Sequence, residues 1–307
     1  MKFTMKRILM VFIILLGIDS YAQQDPMYTQ YMYNTMSINP AYAGSKEALS
    51  ILGLYRAQWV GLDGAPNTQT LSAHMPVGGH EMGVGLTFLN DKIGATNQTQ
   101  LFLNYSYPIN ISWTSKLRFG LSFGMSVFQS HAADLNNRVP TDQSIFNYTG
   151  KIFPNVGLGL FYYGEKGYLG LSVPKLLNNF VKGPNELEVG RVRQHFFLMG
   201  GYVYYIDDYT KFKPSFLLKM VSGAPISLDL SANIYFNNHL GLGLAWRNQD
   251  AISGIVQYYF SSGLNLSYSY DFITSPLRHF NGGSHEFTIG YDIGTIGKQR
   301  IYSPRFF

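Results

Sequence analysis

Along most of its length this chain alternates apolar and polar residues for about ten positions, turns, and alternates again. One run is Leu117, Phe119, Leu121, Phe123, Met125 and Val127, interleaved with Arg118, Gly120, Ser122, Gly124 and Ser126. Another is Ile226, Leu228, Leu230, Ala232, Ile234 and Phe236, interleaved with Ser227, Asp229, Ser231, Asn233 and Tyr235. A third places Leu264, Leu266, Tyr268, Tyr270 and Phe272 between Asn265, Ser267, Ser269 and Asp271. A period of two sets one face of a strand in an apolar medium and the other in a polar one. Lipid leaves no backbone group unpaired, so strands that cross it must close into a barrel. The expected fold is therefore all-β: an antiparallel transmembrane β-barrel of about 14 strands with a wet lumen, preceded by a non-barrel N-terminal segment.

Strand-like runs fall near residues 49–60, 67–76, 81–90, 95–107, 115–130, 153–163 and 167–173, then 194–206, 211–221, 225–236, 239–248, 251–260, 263–272 and 284–293. Short turns are expected at Asn90-Asp91, Gly164-Glu165-Lys166, Asn237-Asn238 and Ser261-Ser262, as hairpins require. Longer segments at 131–152, 174–193 and 273–283 read as outward-facing loops, the second with room for a short helix after Pro174. Lys2, Lys6 and Arg7, a short apolar core Ile8–Ile18 and the small residues of Ser20-Tyr21-Ala22 make 1–22 a signal peptide, cleaved near Ala22. Residues 23–45, rich in Tyr, Met and Asn, lack the alternation and form the segment expected to plug the barrel or meet the periplasm. Residues 46–307 form the wall, ending on an aromatic, Phe307.

Only 13% of residues are charged, about half the usual soluble share, and no run is long and apolar enough for a membrane helix. A soluble β-sandwich is the competing reading, though it seldom spends so many aromatics on one alternating face. The net charge of +5 is scattered, so no nucleic-acid partner is expected. There is no Cys and thus no thiol chemistry.

No catalytic constellation emerges. The histidines are dispersed, and none sits in a nucleophile signature. Ser284, His285 and Glu286 form the tightest cluster, but neighbours along a strand point to opposite faces. Asp207-Asp208 reads as a solvated turn. The Gly-x-Gly pairs at 83/85, 157/159 and 241/243 read as small inward positions that relieve crowding. No metal-ligand spacing or cofactor motif is present, so neither metal nor cofactor is expected. Arg56, Arg118, Asp229, Arg247, Asp271 and Asp292 lie on the polar phase. They are expected in the lumen, filling it or binding something there, because lipid would penalise them.

The run DPMYTQYMYNTMSINPAYAGS, with Tyr31, Tyr33, Asn34, Asn39, Pro40, Ala41, Ala43 and Gly44, resembles the opening of the PorP/SprF family of Bacteroidetes outer-membrane proteins. YRAQWVGLDGAPNTQTLSAHMP is similar to further family elements, on Arg56, Gln58, Trp59, Gly64, Ala65, Pro66, Thr68, Ser72, His74 and Pro76. NDKIGATN, GLSVPKLL, PSFLLK, SHEFTIGYD (with His285 and Glu286) and the final SPRFF extend the resemblance across the mature chain. It implies a non-catalytic barrel of the outer membrane and of the type IX secretion and gliding-motility machinery. It also implies a role in exporting, or holding at the surface, a large adhesin through its C-terminal domain. The implied partners are outer-membrane lipid, that domain and other secretion components, some of them periplasmic. Pro40 and Gly44 are expected to form a structural hinge into the first strand. The alternative reading is an outer-membrane transporter or channel for small or hydrophobic solutes.

Overall fold

The structure is a computed structural model that describes residues 25–46, 48–78, 82–131, 147–182 and 188–294. The expected signal peptide and Phe307 lie outside the described residues. The strands are β1 (Leu49–Ala57), β2 (Asn67–Val77), β3 (Met82–Ile93), β4 (Thr96–Asn110), β5 (Lys116–His131), β6 (Asn147–Tyr163) and β7 (Gly167–Val173). There follow β8 (Asn179–Lys182), β9 (Glu188–Val192), β10 (His195–Tyr202), β11 (Tyr204–Tyr205) and β12 (Thr210–Val221). The chain continues with β13 (Ser227–Phe236), β14 (Leu240–Arg247), β15 (Ala251–Tyr259), β16 (Leu264–Ile273) and β17 (Ser284–Ile293).

Fourteen of these form a closed antiparallel barrel. Neighbours pair in sequence order, β10 bridges β7 and β12, and β17 closes on β1 from Leu49↔Ile293 to Ala57↔His285. Closure leaves no unpaired strand edge in lipid, which is the condition for a sheet to span a membrane. Outside this ring lie the small hairpin β8–β9 and the two-residue β11, which pairs only with β12.

The alternation resolves as expected into two faces. Phe119, Leu121, Phe123 and Met125 are exposed outward, while Arg118, Ser122 and Ser126 between them are buried inward. The same holds for Leu266 and Phe272 against Asn265, Ser267, Ser269 and Asp271. A Lys or Arg on the outward face near mid-membrane would cost about 2–4 kcal/mol, so the charges gather in the lumen.

The expected runs match the ring strand for strand, with three local differences. Asn90 and Asp91 are not a turn: both lie in β3, and Asp91 accepts a hydrogen bond from Thr68 Oγ1 at 2.6 Å across the barrel's inner face. The reversal falls at Gly94-Ala95, with Gly94 at φ 56°. Among the described residues no helix follows Pro174. There the backbone spends its groups on β6, with Leu176 N donating to the Val156 carbonyl at 2.8 Å. The Asn155 side chain grips both the N–H and the carbonyl of Leu177. Finally, β6 starts at Asn147, inside the expected loop.

Because β1 starts and β17 ends at the same rim, every connection is assigned to one of two ends. Turns 164–166, 237–239 and 260–263 share the rim of the strand termini. Strands β1, β5, β7 and β16, from which the longer connections leave, end at the other. Long loops face the exterior in such barrels and short turns the periplasm, so this second rim is the outer mouth. Loops 58–66 and 274–283 are tied together there: Val60 N donates to the Gly283 carbonyl and Gly282 N to the Val60 carbonyl.

Candidate functional site

The inward faces converge on one object, the N-terminal segment 25–46. It carries two short 3-10 turns, Thr35–Ser37 and Pro40–Tyr42, and Tyr31, Met32, Asn39, Ala41 and Ala43 are at most 1% exposed. A backbone buried this way must find partners for its N–H and C=O groups. They come at three places on the wall, one near the periplasmic rim and two near the outer one.

At the periplasmic level the element Asn39-Pro40-Ala41-Tyr42-Ala43-Gly44 rests on glycines. Asn39 accepts from Ala41 N at 3.0 Å, capping the turn that Pro40 opens, and donates through Nδ2 to the Leu160 carbonyl at 2.9 Å. Cβ atoms built on Gly83, Gly120 and Gly159 would fall on the Ala43 carbonyl, the Ala41 backbone and the Asn39 side chain respectively. Gly44 (φ 70°) turns the chain away, and its N–H donates to His74 Nδ1 at 3.1 Å. Ser106 Oγ donates to the Ala43 carbonyl at 2.6 Å and accepts from Arg118 Nε at 3.0 Å. The Tyr42 ring meets His74 and Phe161 edge-on.

Near the outer ends of β1, β16 and β17 lies a buried ionic cluster. Arg56 donates from Nη2 to Asp271 at 2.7 Å and from Nη1 to Glu286 at 2.9 Å, and all three side chains are at most 1% exposed. Both Glu286 carboxylate oxygens also accept backbone N–H groups of the segment, from Thr29 at 2.9 Å and Gln30 at 2.8 Å. The Thr29 hydroxyl donates to Asp271, and Gln30 Nε2 donates to the Glu286 carbonyl. Beside it Arg247 bridges Asp229, Asp250 and the Tyr28 carbonyl. Two carboxylates so close together are tolerable because Arg56 and the backbone donors satisfy them.

At the outer mouth stands Asp25. Its carboxylate pairs with Lys175 at 2.6 Å and His195 at 3.3 Å, and Lys219 donates to its backbone carbonyl at 3.4 Å. Burial alone would push the Asp25 carboxyl up. Lys175, His195 and Lys219 override it and hold the group well below the usual carboxylate range.

The family-motif residues thus divide. Asn39, Pro40, Ala41, Gly44 and His74 meet in the glycine cradle, and Arg56 and Glu286 in the ionic cluster. Gln58, Trp59 and Pro66 shape the β1–β2 loop instead. Gln58 N donates to the Pro66 carbonyl, and Trp59, at φ 50°, donates its N–H to Ser284 Oγ. His285 faces outward and pairs with the Tyr268 hydroxyl at 2.8 Å, away from Glu286. Asp292 is inward but half-buried, held by Lys46 and Ser50. Sequence reasoning gave Asp25, Lys175 and Lys219 no role, although they lie within the DPMYTQ, GLSVPKLL and PSFLLK runs, and weighed His195 only as one of the dispersed histidines. The inward phase of Lys213, Ser215 and Lys219 within β12 was the available signal.

Fold and lumen together define an outer-membrane β-barrel whose interior is occupied by its own N-terminal segment. The chain belongs to the PorP/SprF family: the family described as type IX secretion system membrane protein PorP/SprF matches residues 20–291. No curated protein matches the sequence. Among solved structures, a FadL homologue from Pseudomonas aeruginosa is similar over 88% of this chain and 95% of its own, at 12% identity and TM-score 0.50. A structure titled CymD monoaromatic hydrocarbon channel is similar over 91% and 96%, at 9% identity and TM-score 0.50. At such identity the likeness concerns the fold alone.

Proposed function

We propose that this type IX secretion barrel assists the export or surface attachment of a large secreted adhesin, whose C-terminal domain it engages at the loop-bearing face. In this reading 1–22 is the cleaved leader, 23–45 the plug and 46–307 the wall, and the protein carries out no catalysis. The observation that supports it is the occupied lumen. A segment fastened to the wall at three places suits a rigid outer-membrane platform better than a conduit, and family membership supplies the secretion context. The test is deletion of the protein followed by a census of surface adhesins, with crosslinking and mass identification of its partners in the outer membrane. Loss of at least one large adhesin, recovered crosslinked to the barrel, is expected. An unchanged surface with no crosslinked adhesin would defeat the reading.

The channel alternative draws on one fold relative whose title calls it a hydrocarbon channel. It separates cleanly from the platform reading. In planar bilayers the purified full chain is expected to be electrically silent, and steady single-channel steps would favour the channel.

A further inference from the structure

Asp25 opens the described part of the lumen segment, and its surroundings are unlike those of an ordinary ion pair. Three nitrogen-bearing groups of the wall face this one residue: Lys175 after β7, His195 at the start of β10, whose Nδ1 also bonds the Arg193 carbonyl at 3.0 Å, and Lys219 near the end of β12. All three are buried. The other carboxylates nearby are engaged elsewhere, Asp229 by Arg247 and Asp91 by the Thr68 hydroxyl.

Next to Asp25 lies a cavity of about 60 Å³ whose walls include Lys175, Lys219, Gln100, Met27, Phe197 and Leu217. Gln100 is 4% exposed, and its Nε2 is a buried donor without a hydrogen-bond partner among the described residues. Buried donors normally find an acceptor. Here the wall offers N–H groups and apolar surface together, the combination that accepts a carboxylate carrying an apolar tail. Removing Asp25 leaves the segment's other fastenings intact. The Glu286 cluster begins at Thr29, and the glycine cradle lies further on.

We propose that Lys175, His195 and Lys219 form a carboxylate-binding pocket at the outer mouth, which the chain fills with its own Asp25 and which a carboxylate ligand with an apolar tail, arriving from the loop face, takes over by competition. The pocket does not depend on which protein the barrel exports. Such a ligand is the C-terminal end of an apolar peptide or a fatty acid, and both share the chemistry.

The experiment uses the purified full chain and a fluorescent pentapeptide of apolar residues with a free C-terminal carboxylate. Its C-terminal amide is the control and octanoate the competitor. Asp25→Ala is expected to bind the free acid at least tenfold more tightly than the unaltered protein does, to ignore the amide, and to lose the gain in D25A/K219M. Displacement by octanoate supports a pocket for any such carboxylate; resistance to octanoate supports one that takes peptide ends. Equal binding of acid and amide, or no gain in D25A, overturns the proposal and leaves a plain ion pair. A second readout does not depend on D25A assembling. The chain has no cysteine, so Met27→Cys beside the pocket reports alone. Its reaction with a maleimide is expected to accelerate severalfold with the free-acid peptide and not with the amide, and an unchanged rate overturns the proposal.

Discussion

Gly120→Val is expected to drive the N-terminal segment out of the lumen while leaving the wall closed. Gly120 lies on the inward face of β5, and any Cβ there would meet the backbone of Pro40 and Ala41. Overpacking a core against movable side chains costs roughly 1–3 kcal/mol. Here the neighbour is backbone, held by Asn39 from one side and Ser106 from the other, so the turn cannot edge aside without breaking both bonds. The wall has no such conflict, since its register through Gly120↔Ser106 and Gly120↔Gly159 uses main-chain groups. The expected picture is a variant that keeps its β-sheet circular dichroism and heat-resistant migration while a protease cleaves within residues 25–46. Ion conductance should appear in the same preparation. A variant whose segment stays protease-resistant would show that the cradle does not require glycine. Leu121→Val, on the outward face of the same strand, is the matched control.

Arg56→Met should be the most destabilising single change in the lumen. It removes the one cation shared by Asp271 and Glu286, leaving two carboxylates without that partner where water is scarce. Breaking a buried pair from one side typically costs about 3–5 kcal/mol. That loss is to be read from urea titrations of the bilayer-inserted barrel. The signature that separates charge from shape is rescue: R56M/D271N/E286Q should recover most of the loss, because neutral amides need no counter-ion. If R56M unfolds at the same urea concentration as the unaltered protein, the cluster does not stabilise the barrel.

The wall was legible in the sequence because period two is a local property, and each strand declares its two faces without reference to the others. Phe123 and Ser122 needed only each other to be sorted. Hence the number, order and facing of the ring strands follow from the chain alone. Asn90-Asp91 misled because a turn-like composition also suits an inward pair that bonds Thr68. The segment's docking was not legible, since its contacts join residues as far apart as Thr29 and Glu286. Nothing local marks Gly83, Gly120 and Gly159 as seats for one turn. The resemblance drew Asn39, Pro40, His74, Arg56 and Glu286 into one list, but their division into a cradle and an ionic cluster is a fact of three dimensions. Lys175 and Lys219 stand within GLSVPKLL and PSFLLK but were given no role, because their partner, Asp25, lies in the one stretch without periodicity.

The bonds from Thr29 and Gln30 to Glu286 also set a timetable. They connect the start of the described chain to its last strand, across 257 and 256 residues. Contacts of such sequence separation form late, because the entropy of closing so long a loop must be overcome first. The segment is synthesised first, yet its docking site on Glu286 is complete only when β17 has paired with β1. Docking of Thr29 and Gln30 is therefore the act that certifies a finished barrel, and a chain stalled before β17 would carry that stretch undocked while the cradle still holds Asn39–Gly44.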